Sequence, residues 1–507
     1  MHLASGSGGQ RPTRGEFRRS AAAGRTWADK RDLPDPVGWA DYSSRPELAY
    51  ERLDARLRTG RFPMPVSRFT LPKTGSEGVR IITSLDIYDE LALRVLVGRV
   101  VPAVERSIDR ESVLSYPLGA SPPAWWTKDH RQPISDRRRK GLTYLNDDRC
   151  AGLGTMDVTD YYRSVDLRRL GEVLAGMQAP SGSVTALTDY LSALPASGGP
   201  GGLPIGFEGS GLLANAYLHR MDKVLAQRAP FTRYTDDVWC FPTSEELWDE
   251  VRSAVEVELA GLGLTLNESK TRFWDKVWDD PYSIILNRTL DSITGEGAGP
   301  VDPSHSLELL EVELLVDHPD RDWTVVRFAL ANLAASRFEP AIPLLEAHPD
   351  LFTEVPISVG KYFVALAQDP AARSAIDHDW LVERAVEDGS SRLLAARVWA
   401  CIALSHLHLG RTHGQRLFDL ATDFANYGKL PMQIWAATAW GHSEAWKPGL
   451  AVQAAEHFGA LSLRRAFSLT MRDRGGNRAR RSRWHRHLES VEPDLAPTLS
   501  WALDEAA

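Results

Sequence analysis

The stretch Phe231–Phe241, FTRYTDDVWCF, sets two adjacent aspartates, Asp236 and Asp237, between two short runs rich in aromatic and β-branched residues. Runs of that kind form strands, and the polar break between them reads as the tight turn of a β-hairpin. Two carboxylates at a hairpin tip repel each other, so a positive charge must offset them. A divalent metal ion suits the task, because hard cations take carboxylate oxygens as ligands. An ordinary Asp-Asp turn with both side chains in solvent is the alternative that this stretch alone leaves open.

Working outward, GTMDVTDYYRSVD (154–166) carries Asp157 at the end of a short apolar run, 79 residues before Asp236. If Asp157 lies on a strand beside the hairpin, three carboxylates converge. That number suffices for two metal ions about 4 Å apart, one activating an attacking hydroxyl and one holding a leaving phosphate. Between the acids lies GGLPIGFEGSGLLANAYLHRMDK (201–223). Its Gly-Leu-Pro-x-Gly loop, centred on Ile205 and Gly206, lets backbone approach another group closely. A helix then starts near Ser210, and a glycine-lined loop beside a helix start suits a nucleotide. Downstream, GLGLTLNESKT (261–271) supplies Lys270, a cation for a triphosphate or a proton donor for departing pyrophosphate.

The rest of the 507-residue chain bounds the reading. A hydrophobic share of 43% and a charged share of 25% fit a globular protein of two to four domains. No apolar run approaches the roughly 18 residues of a membrane helix. The start, MHLASGSGGQRPTRGEFRRS, lacks an apolar core and reads as a disordered tail, not a secretory signal. Cys150, Cys240 and Cys401 are too scattered for zinc or a disulfide framework, which favours a reducing cytoplasm. The net charge of −8 argues against a protein coated in nucleic acid, though a local basic channel stays open. Basic clusters stand at 137–140 (RRRK) and 472–487 (RDRGGNRARRSRWHRH), each a solvated face or a nucleic-acid track.

Four regions follow: an Arg-rich N-terminal extension (1–60), partly disordered; a mixed α and β region (61–293) holding every motif above; a Gly/Pro/Ser linker, TGEGAGPVDPSHS (294–306); and a helical region (307–507). In the last, apolar residues such as Trp323, Val326, Leu330 and Leu333 recur at three- and four-residue spacing. Units of roughly 30–45 residues fit a HEAT-like solenoid. An irregular bundle is the alternative. Trp399, Trp435, Trp440 and Trp446 are expected in its core.

Taken in order, these motifs resemble the palm of a reverse transcriptase. MDVTDYYRSVD is similar to motif A, GLPIGFEGSGLLAN to motif B, RYTDDV to motif C and GLTLNESKT to motif D. RFTLPKTGSEGVRIITSLDIYDELALRVL (68–96) resembles the fingers motif, and SVLSYPLG (112–119) the segment joining fingers to palm. The resemblance implies an α+β right-hand polymerase with fingers and palm, followed here by an all-α HEAT-like repeat domain. It implies metal ligation by Asp157, Asp236 and Asp237 and by the backbone of Val158. It makes Tyr162 the steric gate against a ribose 2′-hydroxyl. Lys73 and Arg80 meet the incoming triphosphate, Gly206 lies beside the nucleotide, and Lys270 is the motif D lysine. Two Mg²⁺ ions, replaceable by Mn²⁺, and dNTPs are the implied cofactors and substrates, and DNA the product. Asp166 and Asp89 match family positions as a helix cap and a fingers hydrogen bond.

Two departures stand out. Ile205 occupies a position where many retroelement enzymes have Gln, and Gly211 one where mobile-intron enzymes usually have Pro. Helical sequence follows the palm directly, with no Cys/His endonuclease cluster. That arrangement resembles the bacterial abortive-infection and defence-associated reverse transcriptases. Some of these prime from a protein tyrosine without a template, and others copy a partner non-coding RNA. The expected partners are therefore dNTPs, DNA, in some members an RNA, and further copies of the chain in a homo-oligomer, but no membrane. Tyr42, Tyr50, Tyr362 and Tyr427 are candidate primers, each with a structural alternative. A templated enzyme of a retron- or intron-like element is the second reading, and a catalytically inactive nucleic-acid-binding scaffold the third.

Overall fold

In the computed structural model the hairpin around Asp236 forms as its strand-type flanks require. The structure describes residues 11–28, 32–35, 38–59, 63, 65–75, 78–118, 131–286, 301–387, 389, 392–423, 429–474 and 478–503. Its strands, in chain order, are β1 (Ser67–Pro72), β2 (Val79–Ser84), β3 (Gly152–Met156), β4 (Phe231–Tyr234), β5 (Asp237–Cys240) and β6 (Arg272–Asp275). β4 and β5 pair antiparallel from Phe231↔Cys240 to Tyr234↔Asp237, leaving Thr235 and Asp236 as the whole turn. β3 lies between β5 and β6, antiparallel to both, so the sheet order is β4-β5-β3-β6.

The chain divides into two compact units. The first comprises Met1–Trp27, Leu53–Val66 and Ile87–Arg288 and contains this four-stranded sheet. Beside the sheet, Trp239 and Phe241 pack with Leu145, Cys150, Leu153 and Ile285 in one buried cluster. The Glu245–Leu262 helix shows how local rules set each element. Ser244 caps it by accepting from the Leu247 N–H, glutamates fill its first turn, and Gly263 ends it. Its buried residues Trp248, Val251, Val255, Leu259 and Leu262 recur at helical spacing, forming one apolar stripe.

The second unit comprises Ala28–Arg52, Ser67–Asp86 and Thr289–Ala507. Among the described residues from Pro303 to Leu503, every named element is helical. The first of these helices, Pro303–Leu315, opens inside the stretch read as a linker. Asp302 caps it and Pro303 stands in its first turn, a helix start that a Pro/Ser-rich reading passes over. Residues 294–300 of that stretch lie outside the described residues. Trp399, Trp435 and Trp440 are buried as expected, and Trp446 is half-buried.

The lead-in is largely helical, with Arg14–Ala28, Gly38–Ser44 and Pro46–Thr59. Part of it is held by the second unit's tryptophans. The Trp399 indole donates to Asp32 O (3.2 Å) and the Trp435 indole to Pro34 O (3.1 Å). Residues 1–10 lie outside the described residues. The β1–β2 hairpin also groups with the helical unit. Its tip residue Thr74 donates to Glu354 O (3.3 Å) and accepts from Arg327 Nη1 (3.1 Å).

Candidate active site

Asp157 follows the last residue of β3. The β3–β5 register, ending at Met156↔Val238, runs on to set Asp157 across from Asp237. Asp236 is the turn residue next to it. Burial, then the negative charge of Asp157, pushes the Asp236 carboxyl up to about 6, with Asp237 adding to the effect and Lys270 opposing it. A carboxyl raised first by burial and then by acidic neighbours marks a site that favours a cation.

Two protein cations already stand among the acids. Lys270 Nζ lies 3.0 Å from Asp157 Oδ2. Asn267 adds a backbone N–H to Asp157 O (2.8 Å) and its side-chain amide to Oδ2 (3.4 Å). Asp237 faces Arg137, which donates Nη1 to Oδ2 (2.8 Å) and Nη2 to Oδ1 (2.9 Å) and to the backbone O (3.0 Å). The guanidinium also lies over the Trp239 ring, 3.8 Å from its centroid. Arg137 belongs to the RRRK run. In the Arg131–Leu145 helix the buried positions Pro133, Arg137, Gly141 and Leu145 repeat every four residues. That period was the sequence signal placing Arg137 on the inner face. Its neighbours Arg139 and Lys140 pair instead with Asp136 and Glu111.

Among the described residues, no three His, Cys, Asp or Glu side chains gather closely enough to cage a metal ion. Asp157 and Asp236 form a pair, and their all-oxygen donor set with its unfavourable mutual charge fits a hard divalent cation. Val158, the expected backbone ligand, bridges antiparallel to Leu266.

The turn itself is strained and pinned. Thr235 has φ of 61°, a conformation that a β-branched residue adopts only under constraint. Its N–H donates to Ser115 Oγ (2.9 Å) and its carbonyl accepts from Arg233 Nη1 (2.6 Å). Asn215 joins the two, accepting from Ser115 Oγ (2.9 Å) and Arg233 Nη1 (3.1 Å) and donating to Ser115 O (2.8 Å). Arg233 is wholly buried and pairs with both oxygens of Asp222, at 2.6 and 2.7 Å. Arg233→Met should therefore destabilise the fold by about 3–5 kcal/mol, because Asp222 would be left charged and buried. Chemical denaturation checks this, and a loss under 1 kcal/mol would show that the pair does not hold the turn.

Tyr162 lies against the Gly-Leu-Pro loop, its carbonyl accepting from the Leu203 N–H (2.8 Å). Gly206 is exposed with φ of 103°, open to glycine alone in practice. Ser210 Oγ closes the loop onto Pro204 O (2.6 Å), and the helix opens at Glu208. Asp166 caps the Leu167–Gly176 helix, accepting from the Arg169 N–H (3.0 Å), and Asp89 accepts the Tyr190 hydroxyl. The structure thus gathers Asp157, Asp236, Asp237, Lys270, Tyr162 and Gly206 within the first unit. Lys73 and Arg80 stand exposed on the β1–β2 hairpin of the second. The basic run at 472–487 lies on the Leu461–Arg474 and Arg478–Val491 helices, with 475–477 outside the described residues. Several of its arginines are engaged internally, Arg474 with Ser443 O (2.7 Å) and Arg481 with Arg472 O (2.6 Å).

Paired acids on a short antiparallel hairpin, pinned by Ser115, Asn215 and Arg233, are chemically suited to nucleotidyl transfer. Residues 71–291 match the family of reverse transcriptases (RNA-dependent DNA polymerases). The chain carries a reverse transcriptase domain and is an enzyme of the DNA nucleotidyltransferase class. Such domains use divalent metal ions. No curated protein matches the chain. Similar solved structures include telomerase from Candida albicans (11% identity, TM-score 0.31, 75% of this chain and 67% of that one) and from Candida tropicalis (12%, 0.33, 77% and 68%), each with a fragment of telomeric RNA. Likeness at that level fixes no further property of this chain.

Proposed function

We propose that the chain makes DNA from dNTPs in anti-phage defence, in the manner of abortive-infection reverse transcriptases. The observation that carries this reading is the run of helices from Pro303 to Leu503. It follows the palm directly, as a HEAT-like domain in place of a thumb would.

Asp157 and Asp236 are the residues that would hold divalent metal, with Asp237 beside them and Mg²⁺ the expected ion. The metal supplies activation of an attacking hydroxyl and neutralisation of phosphate charge. A 3′-hydroxyl, or a primer tyrosine, attacks the α-phosphorus, and pyrophosphate leaves. Lys270, which pairs with Asp157 at 3.0 Å, would donate a proton to that leaving group. Tyr162 would exclude a ribose 2′-hydroxyl, and the Gly206 loop would lie along the nucleotide.

Of the tyrosines considered as primers, Tyr42 and Tyr362 are wholly buried, and the Tyr362 hydroxyl donates to Phe338 O (2.8 Å). Both fit structural roles. Tyr50 is half-buried, and Tyr427 lies outside the described residues. Assembly into a homo-oligomer is supported by apolar side chains left exposed on the Pro303–Leu315 helix: Val312 at 58% and Leu315 at 87%.

The test is to purify the protein, treat it with protease or nuclease separately, and sequence any DNA that accompanies it. The same is done for an Asp236→Ala, Asp237→Ala double variant. Low-complexity DNA covalently attached to the wild type alone is the expected result. DNA complementary to a defined RNA would favour the templated alternative. No DNA in either protein, with equal phage protection, would overturn the catalytic reading and leave a scaffold.

A further inference from the structure

Tyr116 holds a backbone conformation that its own side chain disfavours. Its φ is 49°, in the left-handed region where a bulky residue is an outlier. Such a residue persists only where its surroundings over-determine it. Here they do. Val113 bridges Arg233 in parallel, with Leu114 N–H donating to Arg233 O (3.0 Å) and Arg233 N–H to Ser112 O (2.8 Å). Asn215 holds Ser115 through both its hydroxyl and its carbonyl. Arg110 donates Nη1 to Ser115 O (2.8 Å) and Nη2 to Tyr116 O (3.2 Å).

The consequence is where the Tyr116 ring falls. It lies on the Glu208–Tyr217 helix at Gly211, so close that a Cβ there would stand 2.2 Å from ring atom Cε2. From that seat its hydroxyl makes a side-chain hydrogen bond to the Tyr162 hydroxyl. On its other flank Tyr162 meets the Tyr161 ring edge-on, centroids 5.6 Å apart, and the Tyr161 hydroxyl is itself fixed on Ala214 O. The Thr235 turn is pinned by Ser115, Asn215 and Arg233, none of which needs the Tyr116 ring. The placement of that ring therefore serves Tyr162. Gly211, in the first turn of that helix, is what makes room for it.

We propose that Tyr116 is a positioning residue for sugar selection: its hydroxyl locks the Tyr162 ring, and Gly211 provides the space that lets it do so. This rests on the reading of Tyr162 as the sugar gate. A gate of this kind discriminates by one oxygen atom, so a ring free to swing by an ångström loses much of its selectivity. A residue that merely packs would affect stability without changing the choice of sugar.

The test is single-nucleotide incorporation with matched dNTP and rNTP pairs, read as the ratio of the two kcat/KM values, beside each variant's Tm. Tyr162→Val should collapse the ratio. Tyr116→Phe, which keeps the ring and removes only the hydroxyl, should lower it roughly three- to tenfold, the worth of one hydrogen bond. Gly211→Ala, which displaces the ring, should lower it in the same direction. A collapsed ratio in Tyr162→Val with a wild-type ratio in Tyr116→Phe would overturn the inference and leave the gate standing. A wild-type ratio in Tyr162→Val would overturn the gate and the inference together. Should Gly211→Ala fail to fold, Tyr116→Phe decides alone.

Discussion

Asp157→Asn and Asp236→Asn should each reduce nucleotide incorporation by about 10³-fold or more. A metal ion stabilises the charge developing in phosphoryl transfer by several kcal/mol, and each 1.4 kcal/mol lost is roughly tenfold in rate. Both substitutions keep side-chain size and remove one negative charge from a pair whose mutual repulsion favours a cation. For Asp157 a second loss follows, because its carboxylate orients Lys270 and Asn267. Steady-state incorporation of labelled dNTP measures the effect. A loss under tenfold in either variant would mean that the acid does not hold the reacting metal.

Asp236→Asn should make the protein more stable while it removes the activity. The folded state raises this carboxyl from its ordinary 3.8 to about 6, so folding disfavours its ionised form. Below pH 4 the group is protonated folded and unfolded, and the substitution changes little. Between about pH 4 and pH 6 only the unfolded chain ionises, which draws the wild type toward unfolding. Above pH 6 the penalty is complete, at about 2–3 kcal/mol. The variant's advantage in Tm should thus grow from pH 4 to pH 6 and hold steady to pH 8, by several degrees, when measured in EDTA. Added Mg²⁺ should raise the Tm of the wild type, which binds it folded, and leave the variant where it was. A variant less stable than wild type at pH 7.5 would contradict the assignment of Asp236 as an acid held at a cost to the fold. Active sites commonly carry a penalty of this kind.

The hairpin, its acids and the Gly-Leu-Pro loop were legible because short-range rules govern them. Strand-type runs flank a two-residue turn, and like charges at its tip ask for a cation. The helical character of the described residues from 307 to 503 was legible from their period. What sequence did not show rests on contacts far apart in the chain. Arg137 and Asp237 are separated by 100 residues, as are Ser115 and Asn215. A basic run that left open a solvated face or a nucleic-acid track supplied instead the buried partner of Asp237, although the four-residue spacing of Pro133, Arg137, Gly141 and Leu145 pointed inward. The grouping of the β1–β2 hairpin with the helices depends on Thr74 meeting Glu354 and Arg327, which no local pattern encodes. Strain at Thr235 and Tyr116 is likewise invisible in sequence, since neither residue type favours positive φ.

The most direct test of the account is incorporation of radiolabelled dNTPs into acid-insoluble product by the purified chain, in Mg²⁺ and in EDTA. Wild type is compared with Asp236→Asn, with the Tm of both recorded in the same buffer. The account predicts product from wild type in Mg²⁺ only, and none from a variant that is folded and more stable. Product from folded Asp236→Asn at the wild-type rate, or undiminished product in EDTA, would contradict it.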